Sequence, residues 1–184
     1  IRHIDNLVSQ LDGEWSKMGA AADPWQEGPA AYRYQLTDMA YALAVAHYHR
    51  LPAAPEVFKG IYNRLIHKML LPDVWNFWGN TSKGGKLSHP DMTELRNASN
   101  DPVGNENIMY SGYLLSMVAM YAMLFDDDRY SEPGALTFRH RPIYWGLGPE
   151  KFAYDLDSLS EHVYWQMVEN GYMGVACEPD CIFM

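Results

Sequence analysis

Apolar positions recur at helical spacing along most of this chain, and prolines and glycines cut the recurrence into segments. Ile4, Leu7, Val8, Leu11 and Trp15 fall at the i, i+3, i+4, i+7 positions of a core-facing helix, predicted over residues 1–18. A loop follows, with Asp23-Pro24 as its turn signal. Residues 29–50 repeat the helical pattern through Tyr34, Met39, Tyr41, Leu43, Val45 and Tyr48, and interspersed alanines allow close approach. Pro52 and Pro55 break that helix, and a third runs over 55–71 until Pro72 stops it. A short aromatic piece around Trp75 and Trp78 leads into a polar stretch, 79–104. Connections of that length inside compact domains are usually functional or mobile. The next helix lies within 105–125 and is apolar nearly all round, so burial on most faces is expected. Met109, Tyr113, Met117, Met120 and Tyr121 share one broad side of it, and Tyr110, Leu114 and Val118 another. A last helix, 157–170, is expected to end at Gly171.

No stretch alternates strictly, and the only strand-like runs are short, near 136–138 and 174–176. The expected class is therefore all-α: helical hairpins with long loops gathered between them. Such hairpins suit an α/α barrel or toroid better than a compact four-helix bundle.

Composition narrows the partners. A net charge of -9 argues against nucleic acid and against an anionic membrane surface, both of which need clustered Lys and Arg. No apolar run is read as long enough for a bilayer span. At 184 residues the chain fits one domain, 1–184, or part of a larger one. Ile1 opens in mid-pattern and Met184 closes inside an apolar run, so the domain is expected to be incomplete at both ends. The remaining surface would come from the same chain, a second chain or a homo-oligomer. Cys177 and Cys181 are too few for a disulfide framework and read as free thiols in a reducing, cytoplasmic setting. The sequons at Asn80 and Asn97 then read as incidental.

No Gly-rich phosphate loop, zinc spacing or nucleophile elbow occurs. His47 and His49 are too close in sequence to share a helical face. Cys177 follows Gly174-Val175-Ala176 and sits in a proline-broken turn with Glu178 and Asp180. Neighbouring carboxylates keep a thiol protonated, which makes it a proton donor rather than a nucleophile. Taken by itself, the same residue also fits a small buried apolar side chain.

Two motifs together resemble a known family. Glu106-Asn107-Ile108-Met109-Tyr110 with Gly112 and the apolar helix, and Gly174-Val175-Ala176-Cys177-Glu178-Pro179-Asp180, resemble the linalool dehydratase/isomerase family, most closely its fungal branch. Val74-Trp75 with Trp78, Asp101-Pro102, Arg129-Tyr130, and Tyr34 heading the helix that carries Tyr41 extend the likeness from about Tyr32 onward. The resemblance implies an (α,α)6 barrel, of which this chain is roughly the first half. It also implies a hydrophobic pocket without cofactor, and dehydration or isomerisation of an allylic alcohol. By motif, Cys177 matches a catalytic cysteine, Met109 a substrate-facing methionine and Tyr34 a pocket tyrosine. Tyr41, Trp75 and Glu178 join the expected substrate wall. The catalytic carboxylate is expected in the first segment, at Asp12 or secondly Asp23.

Two departures change the chemistry. Tyr113 stands where the family has a catalytic histidine, and Cys181 does not match the family's second cysteine by position. Histidine both takes and gives protons near neutrality, whereas tyrosine mostly donates a hydrogen bond. Linalool itself is thereby disfavoured as substrate. Aromatic faces still attract positive charge, so a polarised or cationic intermediate remains supportable. The expected function is a cofactor-free lyase/isomerase or cyclase for an apolar terpenoid or related secondary metabolite, with Cys177, Tyr113 and Asp12 as its acid–base set. The alternative is a non-catalytic helical binding or assembly domain that has lost that set.

Overall fold

A computed structural model describes residues 1–19, 30–81, 99–104, 107–142 and 148–170. Proline fixes several of the helix boundaries. Helix α1 (Arg2–Val8) is short, α2 (Tyr32–Arg50) stops ahead of Pro52, and α3 (Pro55–Met69) opens on Pro55. Pro72 starts the one-turn α4 (Pro72–Trp75), and α5 (Trp78–Thr81) follows at once. Helix α6 (Ile108–Phe125) ends where Asp126 enters the left-handed region at φ 47°. A 3₁₀ turn at Arg129–Ser131 leads to strand β1 (Leu136–His140), which pairs antiparallel with β2 (Glu150–Tyr154). Helix α7 (Leu156–Asn170) begins with a reciprocal cap in which the Ser158 amide donates to Asp155 Oδ1 and the Asp155 amide to Ser158 Oγ.

Helix α6 organises the packing. It lies against α2, α3 and α7, while α2 and α3 also pack on each other and α1 covers α3. Tyr110, Leu114, Met117, Val118 and Tyr121 of α6 are fully buried, together with Leu36, Leu43, Phe58, Tyr62, Leu65 and Ile66. Met109, Tyr113 and Met120 are only half-buried. So the sequence-expected side of α6 splits: Met117 and Tyr121 turn inward, and the others lie along an edge.

Three expectations are corrected. The helix over 1–18 ends at Val8, because Gly13 at φ 81° and Lys17 at φ 68° take conformations that no α-helix contains. Residues 9–18 instead form turns. Trp15 stacks on Tyr32 (4.1 Å, 17°), Leu11 is exposed, and the buried Lys68 ammonium sits 4.5 Å over the Trp15 ring. The all-α expectation gives way to a mainly helical fold carrying one hairpin; β1 covers the run noted at 136–138, and β2 was not foreseen. Finally, the 18 residues of α6 are apolar and long enough to cross a membrane by length and composition, contrary to the sequence reading. Its packing on three helices is that of a core helix. The run at 174–176 and the C-terminal motif lie outside the described residues.

Candidate active site

The family-matched residues of α2 and α6 meet along one seam. Tyr34 lies in the first turn of α2, and Tyr113 in the second turn of α6. Their rings contact edge to face, with centroids 5.7 Å apart and planes at 87°. Both are half-buried, which leaves part of each ring facing away from the core. Met109 is half-buried one turn ahead of Tyr113, on the same face of α6.

Hydroxyls continue the seam. Tyr41 lies two turns beyond Tyr34, and its hydroxyl is 2.9 Å from Ser116 Oγ. Ser116 Oγ donates to the Tyr113 carbonyl at 2.8 Å, so the Tyr41 hydroxyl is the donor to Ser116. Beneath it, the Thr37 hydroxyl donates to the Arg33 carbonyl at 2.8 Å and lies 3.5 Å from Met117 Sδ. Farther along α2, Tyr41, Ala42, Val45, Ala46, His49 and Arg50 line an open depression of about 790 Å³.

Arg33 stands behind Tyr34. It is 1% exposed, and its guanidinium carbon lies 4.4 Å from the Tyr34 ring centroid and 4.6 Å from that of Phe77. Its Nη2 donates to the Tyr34 hydroxyl at 3.0 Å. Phe77, Arg33, Tyr34 and Tyr113 thus form one contact series running from the turn after α4 to α6.

The other expected residues lie elsewhere. Trp75 is fully buried; its indole N–H donates to the Leu70 carbonyl at 2.9 Å and its ring meets Phe138 edge-on at 5.8 Å. Its only polar atom is therefore committed to the core beside the hairpin. Asp12 is exposed and turns both carboxylate oxygens to His67 Nε2, at 2.9 and 3.1 Å. The structure does not join it to the Tyr34–Tyr113 seam. Asp23, Cys177 and Glu178 fall outside the described residues.

Sequence reasoning missed Arg33, Ser116 and Phe77. A cation in the first turn of α2, flanked by two tyrosines, was the available signal for Arg33. For Ser116 it was the three-residue step from Tyr113. Among the described residues no group of three or more His, Cys, Asp or Glu side chains is placed to hold a metal.

Comparison with known proteins gives the class. The linalool dehydratase/isomerase family profile matches residues 33–184, most of the chain. This protein belongs to that family of lyase/isomerase enzymes. No curated protein and no solved structure matches it.

Proposed function

We propose that this protein is a cofactor-free lyase/isomerase or cyclase for an apolar terpenoid or related metabolite, with the α2–α6 seam as one wall of its pocket. The reading is carried by one observation: Tyr34 and Tyr113, half-buried and ring to ring, face each other in a chain matched to the family over most of its length. In this reading the helices form part of an (α,α)6 barrel, and the rest of the wall comes from outside the described residues.

The chemistry is acid–base assisted loss or migration of a hydroxyl. The Cys177 thiol protonates the leaving oxygen, the C–O bond breaks with its electron pair on oxygen, and water departs. A proton then leaves the adjacent carbon for a carboxylate of the N-terminal segment, with Asp23 as its candidate since Asp12 is turned to His67, giving a diene; re-addition of water at the far allylic carbon gives the isomer. Tyr34 and Tyr113 orient the substrate oxygen, and their ring faces favour positive charge developing on carbon. Met109 and Tyr41 complete the apolar wall.

The test is turnover of tertiary and primary allylic terpenoid alcohols by the full-length protein, followed by gas chromatography with mass detection. Conversion is expected without added metal or cofactor. Cys177→Ala should lower the rate about a hundredfold to ten-thousandfold, the usual loss when a general acid is removed. Tyr113→Phe should cost about fivefold, one hydrogen bond. Full activity in a normally folded Cys177→Ala protein would sink the acid–base role and favour the binding-domain reading.

A further inference from the structure

Asp12 leads to a second site, away from the seam. Its carboxylate holds His67 Nε2 at 2.9 and 3.1 Å, and His67 lines a depression of about 350 Å³. Asn63, Arg64 and His67 present one face of α3 to that depression. Arg129 and Tyr130 of the 3₁₀ turn complete the lining, with Leu70 and Ala135 as its apolar margin. None of these residues lies in α2 or α6.

The lining is rich in donors, and the acceptors beside it are engaged. Asn63 Oδ1 accepts from the Tyr130 hydroxyl at 3.1 Å, which leaves the Asn63 amide N–H groups without a partner among the described residues. Arg64 pairs with Asp5 through Nη2, while its buried Nε has no partner among the described residues. A covered donor left unpaired costs free energy until an acceptor reaches it. Arg129 makes no ion pair among the described residues. Asp127, two positions before it, is held by Lys59 at 2.8 Å and accepts from the Tyr121 hydroxyl and the Arg129 amide. Asp5 and Asp12 therefore offset Arg64 and a protonated His67, and Arg129 supplies the excess positive charge.

We propose that this depression binds a small organic oxyanion, its carboxylate or phosphate head on Arg129, Arg64 and the Asn63 amide and its hydrocarbon against Leu70 and Ala135. Guanidinium and amide N–H groups match the paired oxygens of either head. The volume suits a metabolite-sized ligand better than a bare ion. In a chain of net charge -9, an anion is held only where donors converge. The site goes beyond the proposed turnover of an apolar substrate and does not depend on it.

The test uses the full chain at fixed ionic strength, with butyrate and propyl phosphate as probes, which differ chiefly in the anionic head. Ligand-observed proton NMR follows binding at millimolar concentration. At least one probe should bind, and the tighter one names the head. Arg129→Gln should weaken it about tenfold, through loss of a charge-assisted hydrogen bond. Arg129 is exposed, so the fold should survive that change. Asn63→Asp keeps an acceptor for the Tyr130 hydroxyl but sets a carboxylate among the donors, and should abolish binding. Lys151→Gln removes an exposed cation of β2 outside the depression and should leave binding as it was. No binding of either probe overturns the proposal, as does binding that Arg129→Gln leaves unchanged. Equal weakening by Lys151→Gln would show a general charge effect and overturn it too.

Discussion

The two faces of α6 carry the same residue type to opposite ends. On the inner face, Tyr121 packs on Tyr62 (6.1 Å), Phe125 (5.1 Å) and Tyr130 (5.1 Å). Its hydroxyl donates to Asp127, and that of Tyr130 donates to Asn63. Burial pushes the phenols of Tyr62, Tyr110, Tyr121 and Tyr130 above their ordinary range. On the edge facing α2, Tyr113 and Tyr41 are half-buried, and Tyr34 is backed by a buried cation. Tyrosine is thus fully buried where α3 and the 3₁₀ turn cover it, and half-buried along the edge that meets α2. Composition, which counts 13 tyrosines together, does not separate these roles.

Truncation should divide the faces most sharply. Tyr121→Ala is expected to cost about 3–5 kcal/mol in a denaturant melt, as for other large buried aromatics, and Tyr113→Ala less than half of that. Equal costs would erase the distinction. Alkali gives the second contrast. A raised phenol keeps its proton in the folded state, so its stabilising effect is complete below pH 10.0 and is lost as pH climbs toward the folded value. Each fully buried phenol, such as Tyr62 or Tyr110, then removes about 1.4 kcal/mol per pH unit. Far-ultraviolet dichroism and tyrosinate absorbance should therefore change together above pH 10.

Single hydroxyls come third. The Tyr110 hydroxyl donates to the Met69 carbonyl, so Tyr110→Phe should cost about 1–2 kcal/mol. The Tyr62 hydroxyl is buried and has no partner among the described residues, so Tyr62→Phe should be neutral or slightly stabilising. A large loss in Tyr62→Phe would show that the hydroxyl has a partner. A pH-dependent contrast lies at the C-terminal end of α6. Lys59 at 2.8 Å, then the Tyr121 hydroxyl and the Arg129 amide, lower Asp127 from 3.8 to about 2. Its contribution is present above pH 3.8 and fades as pH falls toward 2, so Asp127→Asn should shift the melting midpoint by ~3 °C at neutral pH and by nothing at pH 2.

Much of the helical frame was legible because proline and period agree: α2, α3, α6 and α7 were read from spacing, with Pro52, Pro55 and Pro72 as stops. Residues 9–18 were misread because Trp15 meets the core by stacking on Tyr32, which a helical register imitates. Strand β2 was missed because Phe152 and Tyr154 are the only large apolar residues on its inner side, and both are half-buried. Tyr34, Tyr41, Met109 and Tyr113 came from motif and spacing. Their meeting across α2 and α6 did not, because helix rotation is set by packing. Arg33 escaped because an arginine reads as surface in the sequence and its burial is seen only in the fold.

The hairpin also dictates an order of events. Asn100 donates to Glu150 and Tyr154 to Asp101, contacts that close chain loops of 50 and 53 residues. Next to them, Asn107 ties the entry of α6 to the Pro102 carbonyl. Long loop closures are entropically late, whereas α2 and α3 meet through a short connection. The α2–α3 hairpin therefore condenses first, and the end of α6 that bears Met109 is set only when β2 docks. A chain slowed at the hairpin would hold a formed α2–α3 core while the Met109 end of α6 was still unassembled.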